Sequence, residues 1–280
     1  MTKHSGRALT LNLVGAGNVG QTLGRLFAQV GVCDVQGIFN RSPHKAVDAA
    51  AFIAAGYPVQ TLGDMRPADI WMITVPDTQI AGIAAELAAS AFPAAIAFHC
   101  SGFLPAAEMA PLDAKGWHLA SAHPVTSFAD PAASAAQFAG TFCGLEGAAQ
   151  ALSVLEPMFE AAGARCFPVR SDAKAIYHAA AVLSNNLTTV LQAIAQEAWA
   201  EAGVPDDAIG ALHAALLKST VENTVAFGPQ AALTGPAARG DTAVVTRQHA
   251  AVAHWHPEAG RAYDALSTMA AQLKQTGKTR

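Results

Sequence analysis

The chain has 280 residues, and at roughly 100 to 200 residues per domain that length suggests two domains. Apolar residues make up 52% and charged residues only 14%, against about 25% charged in an average globular protein, which excludes a disordered chain and a charge-rich coiled coil. Lys and Arg total 17 against 21 Asp and Glu, a formal net charge of -4 with no run of either sign, so nothing advertises a surface for nucleic acid.

In chain order, residues 9–14 form a short apolar run that ends in Gly15-Ala16-Gly17-Asn18-Val19-Gly20 and passes into a segment of helical spacing. A second strand is expected over 35–39, ending at Asn40-Arg41-Ser42, with Ser42 as an N-cap and Pro43 opening a helix through Phe52. Strands over 69–75 and 94–98 enclose a helix over 78–87, and this alternation predicts a parallel sheet. Further strands are expected at 117–122, 138–145 and 165–169, with a helix at 148–162. Beyond Val169 the strand signals stop. One long helix is predicted over 171–202, another from Pro205 to about Thr224, and helix again over 241–274 with a break near Pro257. The reading is a doubly wound α/β domain over 1–170 followed by an all-α domain over 171–280.

Cys33, Cys100, Cys143 and Cys166 are widely spaced without a CxxC pair, which fits reduced thiols better than a disulfide framework and gives no support to a zinc site. The first residues lack a signal-peptide pattern, so a cytoplasmic location is expected. Two charge-free stretches, 87–107 and 175–196, approach the length of a membrane span, but prolines, histidines and asparagines interrupt them, and no membrane partner is expected.

A GxGxxG triplet is weak alone and informative between a strand and a helix. There Gly15 can make the tight turn, Gly17 can admit a pyrophosphate and Gly20 can let helix and strand pack closely, with helix amides facing the phosphates. Gly15, Ala16, Gly17, Asn18, Val19 and Gly20 are therefore candidate dinucleotide-binding residues. The end of the second strand carries no acid to accept ribose hydroxyls. Arg41 can pair with a phosphate, Ser42 can donate a hydroxyl and Asn40 adjoins both, so NADP is expected over NAD, the lesser alternative being that Arg41 is a solvated surface arginine. Val75-Pro76-Asp77, His99-Cys100-Ser101-Gly102 and the loop from His123 to Phe128 leave other strand ends, which makes Val75, Pro76 and Ser101 candidates for the cofactor and His123 a candidate for the substrate. Singly, His99 and His123 read as loop-stabilising histidines more readily than as catalysts, and Cys100 reads equally as packing or as a reactive thiol. On the long helix Lys174, His178, Ala181 and Asn185 fall on one stripe that could approach a bound cofactor or make structural contacts.

GAGNVG with NRS, then VPD, HCSG, HPVTSF, the run KAIYHAAAVLSNN and the segment LTGPAARGD together resemble bacterial Rossmann-like proteins with a helical C-terminal domain of unknown function. These are distantly similar to pyrroline-5-carboxylate reductase and the β-hydroxyacid dehydrogenases. The resemblance implies an NADP-dependent oxidoreductase with an undetermined substrate, and a homodimer made through the C-terminal helices. It places Lys174 where β-hydroxyacid dehydrogenases hold a catalytic lysine. His178 stands where their asparagine would be and Arg170 where a glycine normally precedes the lysine, so only Lys174 carries over directly. Arg239 is the candidate for a substrate carboxylate. The expected activity is reduction of a small carbonyl or imine compound in the interdomain cleft, with Lys174, His178 and Asn185 catalytic and no metal; the competing expectation is an NADP-binding sensor or scaffold without turnover. A flavin or deazaflavin partner would need a second planar-cofactor pocket that the sequence does not locate.

Overall fold

The computed structural model describes residues 8–280, which divide into two compact units meeting at Val182 and Leu183. The first is built on one eight-stranded sheet in the order β3-β2-β1-β4-β5-β6-β7-β8. Its strands are β1 (Thr10–Val14), β2 (Asp34–Phe39), β3 (Tyr57–Val59), β4 (Ile70–Ile73), β5 (Ile96–His99), β6 (His118–Pro124), β7 (Phe142–Gly147) and β8 (Arg165–Pro168). All neighbours run parallel except β6 and β7. The chain reverses between β1 and β4, so their C-terminal ends open a crevice at the switch point where ligands of such sheets bind.

Helices α1 (Asn18–Gln29), α2 (Pro43–Ile53), α3 (Asp77–Ala89), α4 (Ala110–Asp113), α5 (Pro131–Ala136) and α6 (Ala149–Ala161) cover the sheet. Side chains alternate along each buried strand. Leu11, Leu13, Ile70 and Met72 join Leu23, Phe27 and Phe159 on one face. Val14, Trp71 and Ile73 join Ile80, Leu87 and Trp117 on the other, the two-sided burial that parallel strands require. Asn12 is fully buried within β1, where its side chain accepts from the Gly37 amide at 3.0 Å and donates to the Arg66 carbonyl at 2.8 Å. That bond diverts the Gly37 amide, and the β1–β2 register slips between Leu11 and Leu13.

The sequence expectation of strand and helix alternation holds, with three corrections. β3 was not anticipated: it is a three-residue edge strand containing Pro58, too short for a period-2 signal and placed where a missing amide is tolerated. β7 is antiparallel to β6, because the connection through α5 stays at the strand ends beside α1, where Asn18 Nδ2 donates to the Phe128 and Ala129 carbonyls at 2.7 and 2.9 Å. The single helix over 171–202 is instead a 3-10 turn (Ser171–Ala173), α7 (Lys174–Val182), a π-helical turn (Leu183–Leu187) and α8 (Thr188–Glu201). At the start of α8 the Thr188 and Thr189 hydroxyls donate back to the Leu183 and Asn185 carbonyls of the π turn, both at 3.1 Å, satisfying acceptors that a widened turn leaves free.

The second unit continues with α9 (Asp206–Phe227), the short α10 (Pro229–Ala232) and α11 (Pro236–Arg239), then α12 (Thr242–Trp255) and α13 (Pro257–Thr276). His256 and Pro257 make the expected break, with the His256 side chain capping α13. No helix among the described residues is long and apolar enough to cross a membrane.

Candidate functional site

The glycine turn is built as its spacing requires. Gly15 adopts φ +103°, and a Cβ there would lie 2.7 Å from the Thr74 carbonyl. At Gly20 a Cβ would meet the Gly15 carbonyl oxygen at 2.3 Å and Thr74 Oγ1 at 2.5 Å, so this glycine lets α1 pack against β1 and β4. A Cβ on Gly17 would meet nothing within 4 Å. Gly17 is also the N-cap of α1, with no side chain capping the first turn and no acid in it, so the amides there face outward unpaired by any cap.

These glycines open on a cleft of about 130 Å³ at the ends of β1, β2 and β4, lined by Gly15, Gly17, Phe39, Asn40, Arg41, Thr74, Val75, Pro76, Gln79 and Ile83. The structure therefore brings Gly15, Gly17, Asn40, Arg41, Val75 and Pro76 to one place. Thr74, Gln79 and Ile83 are additions that a fingerprint centred on glycines does not reach. Arg41 is exposed and is the one charged residue in this lining. Asn40 Oδ1 accepts from the Ala16 amide at 3.2 Å, so Asn40 fixes the glycine turn. Ser42 is the N-cap of α2, as expected, but makes no side-chain capping bond. Val19 lies half-buried against the core, and the Asn18 carboxamide is engaged by the loop after β6.

A second cluster lies along the same edge of the sheet, at the ends of β5 and β6. Lys174 is only 2% exposed; its Nζ donates to the Ser101 carbonyl at 2.8 Å and to Ser121 Oγ at 2.7 Å. Ser101 is a hub. Its Oγ donates to Asp77 Oδ2 at 2.7 Å and accepts from the Phe103 and Leu104 amides, so its hydroxyl braces the turn after β5 and links it to Asp77, next to Pro76 of the cleft. Burial pushes the Lys174 ammonium below the usual lysine range, opposed chiefly by Glu146. Glu146 is itself buried, accepting from the Ala106 amide at 2.7 Å and from Ser171 Oγ at 2.6 Å.

His123 Nδ1 and the Tyr177 hydroxyl are 2.8 Å apart, and the His178 ring stands edge-on to His123 at 5.7 Å. His178 Nδ1 is buried and has no hydrogen-bond partner among the described residues. Burial first, then Lys174 and His178, hold His123 down to about 4, while burial raises Tyr177 to about 12. His99 accepts from the Ser101 amide at Nδ1 and faces the Pro105 carbonyl through Nε2 at 3.1 Å, which makes it a neutral loop-bracing imidazole.

Lys174, His178, His123 and Ser101 thus come together in the first unit. Asn185 falls in the π-helical turn of the second unit, and Arg239 is an exposed residue in the last turn of α11 there. The adjacent Asp241 caps α12 through the Val244 amide. Tyr177, Asp77 and Glu146 were missed. A tyrosine three residues after Lys174 and an acid inside the apolar run of β7 were the available signals. Among the described residues no group of three or more His, Cys, Asp or Glu could hold a metal ion.

A Rossmann-like domain model matches residues 3–124, and the domain of unknown function DUF2520 matches residues 141–270. No curated protein matches the chain. Among solved structures, protein TM1727 from Thermotoga maritima is similar at 24% identity and TM-score 0.75, over 95% of this chain and 99% of that one. An imine reductase from Myxococcus stipitatus in complex with NADP+ is 18% identical with TM-score 0.66, over 96% of each chain. A pyrroline-5-carboxylate reductase from Coxiella burnetii is 15% identical with TM-score 0.58, over 96% of this chain and 100% of that one. At these identities the likeness is one of fold, and it includes the reductase resemblance expected from the motifs. In domain content, the chain is similar to a Rossmann-like domain over residues 3–124 and to DUF2520 over residues 141–270.

Proposed function

We propose that the protein is an NADP(H)-dependent oxidoreductase that reduces a small carbonyl or imine compound. The observation that carries this reading is the cleft at the switch point, where Gly17 leaves open space, the first turn of α1 is uncapped, and the lining holds Arg41 and no carboxylate. Gly15 and Gly20 hold the turn, the α1 amides take the pyrophosphate, and Arg41 with the uncommitted Ser42 hydroxyl takes the 2′-phosphate. The reduced nicotinamide supplies hydride when bound. Toward it lie the second cluster's Lys174, which sets a positive field, and His178, whose unpartnered Nδ1 is free for a substrate or for the carboxamide of the nicotinamide. The imine reductase whose fold this chain shares was solved with NADP+, in keeping with that cofactor choice.

The test is Arg41→Ala in calorimetric titration. NADPH affinity should fall about 10- to 100-fold, as expected for a lost charge-assisted hydrogen bond of about 1.5 to 3 kcal/mol, while NADH affinity stays within about twofold. Unchanged NADPH affinity and preference would refute the assignment.

The same reading assigns self-association to the second unit. An apolar groove of about 670 Å³ runs among α8, α12 and α13, lined by Leu191, Trp199, Val252, Trp255, Tyr263 and Leu266. On α9, Val225 and Phe227 are 82% and 68% exposed. Val225→Asp with Phe227→Asp should convert a dimer to a monomer in sedimentation; a monomeric parent would refute self-association.

A further inference from the structure

Two glycines clear the ground around one hydrogen-bonded pair of side chains. A Cβ on Gly102, in the turn after β5, would stand 2.5 Å from His178 Nδ1 and 2.8 Å from His123 Nε2. A Cβ on Gly144, on β7 opposite His123, would stand 2.6 Å from the Tyr177 hydroxyl. Any side chain at either position would displace an imidazole or the phenol. Phe167 stacks edge-on to Tyr177 at 6.1 Å, which helps hold the phenol in place.

We propose that His123, relayed by Tyr177, is the proton donor of the site, and that the substrate it serves is a carbonyl compound. This rests on the oxidoreductase reading above. In this relay the Tyr177 hydroxyl, 2.8 Å from His123 Nδ1, is the donor, and the imidazole is then the neutral tautomer with its proton on Nε2. As hydride from the reduced nicotinamide forms the new C–H bond at the carbonyl carbon, the C=O π pair moves to oxygen, which takes the Nε2 proton. His123 Nδ1 takes the phenolic proton in the same step; a solvent proton then adds to Nε2 and the Nδ1 proton returns to the phenolate, which restores the Tyr177 hydroxyl and the Nε2–H imidazole. Lys174 Nζ, 5.7 Å from the centre of the Tyr177 ring, stabilises the transient phenolate.

The charge around His123 selects the substrate class. The groups acting on it are Lys174 and His178 on α7 and Asp77 at the start of α3, with the Lys174 ammonium outweighing the Asp77 carboxylate. That field favours the negative charge that develops on a carbonyl oxygen and opposes a protonated imine, which arrives as a cation. Lys174 acts here through its field, since its ammonium is turned to Ser101 and Ser121.

The experiment uses the full-length protein. With ¹⁵N-labelled histidine, His123 should resonate as the neutral Nε2–H tautomer from pH 8 down to about 5, and Tyr177→Phe should release that tautomer and raise the titration midpoint. A His123 that is charged at pH 7, or protonated on Nδ1, overturns the relay. NADPH binding by calorimetry is measured on the same sample, so loss of the dinucleotide reading is seen separately. Against small keto acids, aldehydes and ketones, Tyr177→Phe should lower kcat about 10- to 100-fold with KM within about threefold, and His123→Gln should lower it at least 100-fold. Turnover of cyclic imines in preference to carbonyls overturns the substrate class. So does a protein that binds NADPH and oxidises it with no carbonyl compound.

Discussion

Alanine at Gly20 is expected to damage the fold, whereas alanine at Gly17 should leave the fold intact and abolish dinucleotide binding. The Gly20 methyl would lie 2.3 Å from the Gly15 carbonyl oxygen and 2.5 Å from Thr74 Oγ1, and neither is the far end of a flexible side chain. Thr74 Oγ1 already donates to that carbonyl at 2.5 Å, so relief requires α1 to lift from the sheet. Overpacking of this kind costs about 1 to 3 kcal/mol, and NADPH affinity should fall with it because the turn moves. A Gly17 methyl meets no protein atom within 4 Å, so stability should change by less than about 0.5 kcal/mol. The same methyl would occupy the space where the backbone must approach a pyrophosphate, and NADPH affinity should drop at least 100-fold. Denaturant unfolding together with calorimetric titration separates the two variants. A Gly17→Ala protein with parental NADPH affinity would show that the cleft does not seat a dinucleotide at this turn.

The two glycine positions were legible in the sequence because their roles are local: the turn, the helix start and the strand before it lie within about ten residues. The first strand was legible for the same reason, as a short apolar run that leads straight into the turn. What escaped depends on partners far along the chain. The reversal of β7 follows from where the 125–141 connection packs, and its strand pattern looks the same in either direction. Lys174 was read as a group on a helix stripe, yet its role is set by Ser101 and Ser121, 73 and 53 residues away. Tyr177 was not singled out, because only β6 brings His123 within 2.8 Å of its hydroxyl. Helical spacing also grouped Asn185 with Lys174. The π turn at Leu183–Leu187 adds a residue to that stretch and breaks the i, i+4 arithmetic on which the grouping rested.

Glu146 is expected to be the costliest polar side chain of the first unit to remove, and the effect should run through Lys174. Glu146→Ala strips the acceptor from the Ala106 amide and from Ser171 Oγ, and at about 1.5 to 3 kcal/mol for each bond to a charged group the loss should be about 3 to 6 kcal/mol at pH 7. It also removes the charge that most offsets the desolvation of the Lys174 ammonium. The folded-state pKa of Lys174 is depressed, so between that value and the ordinary lysine value of 10.5 the unfolded chain binds the extra proton and stability rises with pH. Without Glu146 the folded value drops further, and the window widens toward neutral pH. Lys174→Met should then rescue part of the loss. It keeps the apolar stem and strands no donor, because Ser121 Oγ still donates to the Ser101 carbonyl at 3.1 Å. In a double-mutant cycle the coupling between Glu146→Ala and Lys174→Met should be about 1 to 2 kcal/mol at pH 7 and should vanish above the ordinary lysine pKa, where the ammonium is neutral in both states. Urea unfolding of the four proteins at pH 7 and again above pH 10.5 measures it, and a coupling that does not change with pH would mean that packing, not charge, joins the two residues.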